Sequence, residues 1–209
     1  AEGHVMTARD IAILSRALIT QFPDHYALYK IKEFTYGGIQ QWNRNGLLWK
    51  DASVDGLKTG HTSAAGYCLA ASAKRGDQRL ISVVLGIDTA SRNEGFRARE
   101  EGNLALLNWG FRFFETHSVY AAGAKVADQP LWRGAAETVS LGVSQPLLVT
   151  VPRGRYGELE PTMDVPRQLL APITKGQAIG TLRLSLDGKV VAERPLVALE
   201  DVAEGGFFK

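Results

Sequence analysis

Val54-Asp55-Gly56-Leu57-Lys58-Thr59-Gly60-His61-Thr62 joins a short mixed run to a Lys-Thr-Gly triplet and then to a polar His-Thr pair. Such a triplet at the start of an edge strand places an ammonium and a hydroxyl on the rim of a cleft. Gly60 has no side chain, so an acyl compound can lie against the strand and hydrogen-bond its backbone. The N–H beyond the glycine, that of His61, is then placed to point at a developing oxyanion. One such donor is typically worth roughly 10²–10³ in turnover, about 3–4 kcal/mol. The competing reading is a surface strand with an exposed lysine. Three residues recur by chance too often to choose, so the flanks must decide.

Upstream, Thr7-Ala8-Arg9-Asp10 fits a capping box, and Ile11, Leu14, Leu18 and Phe22 follow at helical spacing. This predicts a core-packing helix from about Thr7 to Phe22, stopped by Pro23. From Tyr26 to Trp49 come short aromatic and β-branched runs, broken by Gly37-Gly38 and by Asn43-Arg44-Asn45-Gly46, whose Asn-Gly reads as a tight turn. Downstream, Gly66 to Ser72 and Arg79 to Ile87 are apolar runs around the polar turn Lys74 to Gln78, an antiparallel hairpin. Ser91 can cap a second helix carrying Phe96, Leu104, Leu107 and Phe111 to about Phe114. Helix, strands, hairpin and helix describe an α+β layer, an antiparallel sheet covered by helices.

After Thr116 the composition shifts to short strands between turns rich in Gly, Pro and Asp. The candidates are Thr138 to Leu141, Leu147 to Val151, Gly157 to Thr162, Ile179 to Leu186 and Lys189 to Val197, with Asp187-Gly188 as a hairpin turn. A small all-β sandwich is expected. The boundary falls near Glu115 to Ser118, giving domains of residues 1–115 and 116–209.

The 209 residues carry 24 Lys and Arg against 22 Asp and Glu, a near balance that argues against a nucleic-acid partner. The Arg153-Gly154-Arg155 pair reads as a solvated loop. Cys68, the single cysteine, excludes an intrachain disulfide or a multi-cysteine metal site and reads as buried core within Tyr67-Cys68-Leu69-Ala70. No apolar run approaches the roughly 20 residues of a membrane-spanning helix. Ala1-Glu2-Gly3-His4 reads as the interior of a longer chain, lacking an initiator methionine and a signal peptide's apolar region.

Three runs near the triplet carry a resemblance: Ile39 to Trp49, Val54 to Thr62, and Ala65-Gly66-Tyr67. With Leu107 to Glu115 they resemble the D-alanyl-D-alanine carboxypeptidases, more narrowly the class C low-molecular-mass penicillin-binding proteins of the penicillin-binding protein 5 type. Leu186-Asp187-Gly188-Lys189, Arg194-Pro195-Leu196-Val197 and Glu204-Gly205-Gly206-Phe207-Phe208 resemble that family's C-terminal β-domain, so the likeness covers essentially the whole chain. It implies an α+β fold: part of a penicillin-binding/β-lactamase-like catalytic domain, then a small all-β sandwich.

It also implies roles. Lys58, Thr59 and Gly60 match the family's Lys-Thr-Gly, where lysine supports proton transfer and threonine helps hold the substrate. The N–H of His61 matches an oxyanion donor, its side chain being either catalytic or a plain surface residue, and Thr62 sits beside them. Arg44 matches an arginine that maintains a positive field. Arg99, with Arg97 as the alternative, falls where the family receives the terminal carboxylate of the D-alanine peptide, a planar fork suited to two parallel hydrogen bonds. The implied ligands are peptidoglycan stem peptides and β-lactam antibiotics, with no metal or cofactor. The implied location is the periplasm, at the inner-membrane surface through a C-terminal amphipathic helix beyond Lys209.

One departure matters. Neither Ser-x-x-Lys, the family's nucleophile motif, nor a Ser-x-Asn before Lys-Thr-Gly occurs; Ser91-Arg92-Asn93 spells Ser-x-Asn after it and reads as a helix cap. Both motifs are expected upstream of Ala1. The expectation is a chain cut in a loop before the Thr7 helix with its N-terminal segment still bound; the alternative is a chain that never contained that segment. Two rival functions stay open, a serine β-lactamase and a non-catalytic cell-wall or protein-binding module.

Overall fold

The computed structural model describes residue 3 and residues 5–206, and divides at Phe113/Phe114 into two compact units. Ala1, Glu2 and His4, and the Phe207 and Phe208 quoted for the β-domain, lie outside the described residues.

In the first unit, α1 (Ala8–Gln21) begins on Thr7, whose hydroxyl accepts from the Asp10 N–H while the Asp10 carboxylate accepts from the Thr7 N–H at 3.0 Å. The reciprocal capping expected from the sequence is present. A short helix α2 (Pro23–Tyr26) leads to the hairpin of β1 (Glu33–Tyr36) and β2 (Ile39–Trp42), which turns at Gly37-Gly38, both with positive φ. A tight turn is present at Asn45-Gly46, where Gly46 has φ −66° and precedes α3 (Leu47–Lys50). The Asn45 side chain accepts from the Leu47 N–H at 3.2 Å, so the expected tight turn runs directly into a helical one.

A three-stranded antiparallel sheet follows: β3 (Val54–Thr62), β4 (Gly66–Arg75) and β5 (Gln78–Ile87), in that order. α4 (Arg92–Phe113) covers one face. Ser91 caps it, its hydroxyl accepting from the Glu94 N–H at 3.3 Å. Strand alternation assigns the faces: Leu69, Ala71 and Ala73 meet Leu107 and Phe111 of α4, while Ala70 meets the cluster that includes Ile11 and Leu18 of α1. β3 forms an edge of this sheet, and only its first half is covered; Val54 and Leu57 are buried, whereas Lys58, Gly60, His61 and Thr62 are exposed.

In the second unit the strands are β6 (Phe114–Tyr120), β7 (Lys125–Trp132), β8 (Thr138–Val143), β9 (Leu147–Pro152), β10 (Glu160–Asp164), β11 (Leu169–Leu170), β12 (Ala178–Leu186) and β13 (Lys189–Ala198). Six make a sheet ordered β10-β12-β13-β8-β7-β11, and β6 pairs with β9. The two sheets share a core of Val143, Leu147, Val149, Val151, Leu182, Leu184, Leu186 and Leu196. Asp187 and Gly188 both take positive φ at the β12–β13 turn, the conformation of the expected hairpin. The strand read from Gly157 is displaced: Tyr156–Glu158 is a 3₁₀ turn, and β10 starts at Glu160. Arg155 is tied to Glu158 (2.5 Å) and Asp187 (2.7 Å), so the basic loop is exposed but paired.

Candidate active site

Strand β3 is pinned just before the Lys-Thr-Gly triplet. Asp55 accepts from the Tyr26 hydroxyl at 2.5 Å and from both ends of the Arg79 guanidinium, at 2.8 and 2.7 Å, and Arg79 also donates to the Ser72 hydroxyl. Burial, reinforced by the Asp55 carboxylate, pushes the Tyr26 hydroxyl well above the usual tyrosine value, so it remains a donor. A Cβ on Gly56 would stand 2.9 Å from the Tyr26 oxygen, so only glycine lets the strand pass this close.

Beyond that anchor the strand runs along a cavity of about 720 Å³ lined by Arg44, Lys58, Thr59, Gly60, His61, Thr62, Tyr67, Arg92, Phe96 and Arg99. Every residue that the resemblance assigned to the site therefore lines one cleft. Lys58 is exposed and its Nζ donates to its neighbour's carbonyl, Thr59 O. Gly60 pairs with Cys68 and His61 with Tyr67 across the β3–β4 ladder. The His61 ring stacks on Tyr67 at 3.9 Å, and Tyr67 meets Phe96 edge-on at 5.7 Å. This column is seated by Gly95 of α4, where a Cβ would fall 2.2 Å from the Tyr67 ring. Cys68 is half-buried, with its thiol donating to Ala65 O at 3.3 Å, and is not the fully buried core residue expected.

Arg99 is 2% exposed. It donates to Arg44 O at 2.9 Å and to Cys68 O at 3.4 Å, and its guanidinium lies 4.6 Å from the Phe96 ring centre. Its Nε has no hydrogen-bond partner. Burial lowers its pKa from the ordinary arginine value, with Glu100 pulling the other way. Below it, Asn103 donates to Arg99 O (2.8 Å) and Leu69 O (3.1 Å) and accepts from Ser82 (2.6 Å), which fixes this turn of α4 on the sheet. Arg97, the alternative, does not line the cleft; it is exposed and stands 3.8 Å from Glu101.

Sequence reasoning did not assign Tyr67, Phe96 or Arg92 to the site. Tyr67 lies in the quoted Ala65-Gly66-Tyr67 run, but Phe96 and Arg92 reach the cleft only through the docking of α4, which leaves no local signal. On the other side of Lys58 and Thr59 a second groove of about 750 Å³ is lined mainly by apolar residues, among them Leu18, Phe22, Leu28, Tyr29 and Leu57.

The cleft as described holds an amine on an edge strand, a glycine beside an open backbone, and arginines for an anion. Residues 1–89 match the protein-family model described as D-alanyl-D-alanine carboxypeptidase, and residues 114–204 match that of the penicillin-binding protein 5 C-terminal domain. Two Escherichia coli K12 D-alanyl-D-alanine carboxypeptidases, DacA and DacC, are each 47% identical over 210 residues, covering 100% of this chain and 51% of the relative. The chain belongs to the D-alanyl-D-alanine carboxypeptidase family. Among solved structures, penicillin-binding protein 5 of Haemophilus influenzae resembles this family member with a TM-score of 0.78 at 41% identity, over 95% of this chain and 57% of the other. The chain spans about half the length of the curated relatives it matches.

Proposed function

We propose that this chain supplies the Lys-Thr-Gly wall of a serine D-Ala-D-Ala carboxypeptidase that trims peptidoglycan stem peptides and is acylated by penicillins. The observation that carries the reading is the joint lining of one cleft by Lys58, Thr59, Gly60, His61, Thr62, Arg44 and Arg99 on and around an exposed strand edge.

In this mechanism the peptide lies along β3, its terminal carboxylate at Arg99. Arg99 uses two of its five N–H donors on carbonyls, which leaves terminal guanidinium donors for a carboxylate. Arg44 adds positive field, and Thr59 and Thr62 hold the peptide. A serine Oγ attacks the carbonyl between the two D-alanines, its proton passing through a network that includes Lys58. The tetrahedral oxygen receives the His61 N–H. The C–N bond breaks, D-alanine leaves with the proton, and water hydrolyses the ester to release the shortened peptide and the serine.

The 209 residues contain no Ser-x-x-Lys, so this reading requires the serine from other residues, which we place on the N-terminal segment of the same protein. Its seat would be the apolar groove beside Lys58, where Phe22 and Leu28 stand 51% and 61% exposed. Such apolar surface beside a catalytic rim marks an interaction face. We assign the site to residues 1–115 and an accessory role to the β-domain, 116–209. The location is the periplasm, where a C-terminal helix would hold the protein at the membrane; among the described residues no helix is long and apolar enough to cross one.

Fluorescent penicillin labelling tests the reading. Stable labelling of a polypeptide bound to this chain, with D-alanine released from an acyl-D-Ala-D-Ala peptide, is expected. Rapid turnover of the label would indicate a β-lactamase, and complete lack of labelling a binding module.

A further inference from the structure

The cleft holds more positive charge than one terminal carboxylate uses. Arg44, Lys58, Arg92 and Arg99 line it, and no Asp or Glu does. Elsewhere in the same unit Arg75 meets Asp51 at 2.8 Å and Arg79 meets Asp55 at 2.7 Å. Among the described residues, none of the four cleft cations has a carboxylate within ion-pair distance. One of them, Arg99, is enclosed, and its buried Nε has no partner. Such a cluster is relieved by an anionic ligand, and one carboxylate leaves most of it unanswered.

Arg92 is the cation without a role so far. It opens α4, and its guanidinium carbon lies 5.3 Å from the Phe96 ring centre. Arg99 lies 4.6 Å from the same centre, so the two guanidinium carbons stand at most about 10 Å apart. The contact with Phe96 holds Arg92 at the cleft without a salt bridge. Glu94, the nearest carboxylate in sequence, accepts instead from the Thr89 hydroxyl at 2.8 Å.

Position along the strand follows from the aromatic column. Phe96 touches Tyr67, which stacks on His61, and α4 starts at Arg92 soon after Ile87, the β5 residue paired with Tyr67, so Arg92 belongs to the His61–Thr62 end of β3. Arg99 reaches the carbonyls of Arg44 and of Cys68, the residue paired with Gly60, and belongs nearer the Lys58 end. An extended peptide advances about 3.3 Å per residue. A peptide that runs from Arg99 toward His61 can therefore present to Arg92 a residue up to about three places before its terminal carboxylate.

We propose that Arg92, held on Phe96, forms a second anionic subsite that reads an acidic side chain two to three residues before the C-terminal carboxylate. The preferred substrates are peptides carrying two carboxylates. This rests on the D-Ala-D-Ala reading and narrows it. Because Arg92 is exposed, its contribution is modest and weakens with salt.

The test compares N-acetyl-Glu-D-Ala-D-Ala with its isostere N-acetyl-Gln-D-Ala-D-Ala, titrated calorimetrically into the full chain at low ionic strength. The glutamate peptide is expected to bind about fivefold tighter, a difference of about 1 kcal/mol. The ratio should fall to about one in Arg92→Gln and in high salt, and be partly kept in Arg92→Lys. Equal affinities in the native chain, or a preference that survives Arg92→Gln, overturn the second subsite alone. Failure of both peptides to bind with the Ser-x-x-Lys segment also in place overturns the D-Ala-D-Ala reading and the subsite together.

Discussion

The two halves of β3 contrast. From Val54 to Leu57 the strand is buried, and its carboxylate, Asp55, is answered by Tyr26 and Arg79. From Lys58 to Thr62 it is open, and the surrounding cations face no carboxylate. Two arginines sharpen the point. Arg79 is clamped bidentately and holds structure, while Arg99, more buried, is given only carbonyls and keeps a donor spare. An enclosed guanidinium that the fold does not neutralise is a costly arrangement to keep for stability alone. It suits a site that waits for an anion. The first half of the strand fixes where Lys58 stands; the proposed chemistry belongs to the second half.

That contrast can be broken most severely at Lys58. Lys58→Ala should lower penicillin acylation about 10³-fold while leaving the melting temperature nearly unchanged. A large loss of stability with acylation intact would reverse the roles of the two halves. Asp55→Ala should do the opposite to the fold, since it leaves Arg79 and Tyr26 without their partner. Both ion-pair side chains keep about a quarter of their surface exposed, 25% and 27%, so the expected cost is about 2–3 kcal/mol, below that of a fully buried pair. Urea unfolding measures it. Thr7→Ala removes the α1 cap and should cost about 1 kcal/mol in the same experiment, with little effect on acylation.

The smallest expected effect is pH-dependent. Burial pushes the Asp51 carboxyl up, but hydrogen bonds from Ser53 and Arg75 outweigh this and hold it below its ordinary value of 3.8. A carboxyl lowered in the folded state stabilises the fold above its unfolded value and loses that contribution as pH falls through the folded value. Asp51→Asn should therefore be less stable than the native chain near neutral pH, and the gap should close as the pH falls below about 4. A gap that stays constant with pH would mean the carboxylate's charge is not what matters.

Much of this was legible in the sequence for identifiable reasons. The α1 cap, the Ser91 cap and the β4–β5 hairpin rest on local chemistry, and each appears as read. The cleft around Lys58 was legible through its shared runs, which placed Arg44 and Arg99 beside it from tens of residues away. Misreadings arose where tertiary context overrode local preference. The short helix after the Asn45-Gly46 turn was not read, because it forms as Leu47 and Leu48 are drawn into the core against Val54 and Leu107. β10 is exposed along its whole length and β6 nearly all half-buried, so neither has the alternation that marks a strand. Arg92 and Phe96 were invisible as site residues because a shared ring and a helix docked through Gly95 bring them to the cleft.

The central claim is that this chain holds the Lys-Thr-Gly wall while another segment carries the nucleophile. Mass spectrometry of the penicillin-treated protein addresses it most directly. The account predicts the adduct on the serine of a Ser-x-x-Lys segment and none on the 22.7 kDa chain itself. An adduct on a serine within residues 1–209, or acylation that proceeds equally in Lys58→Ala, would contradict it.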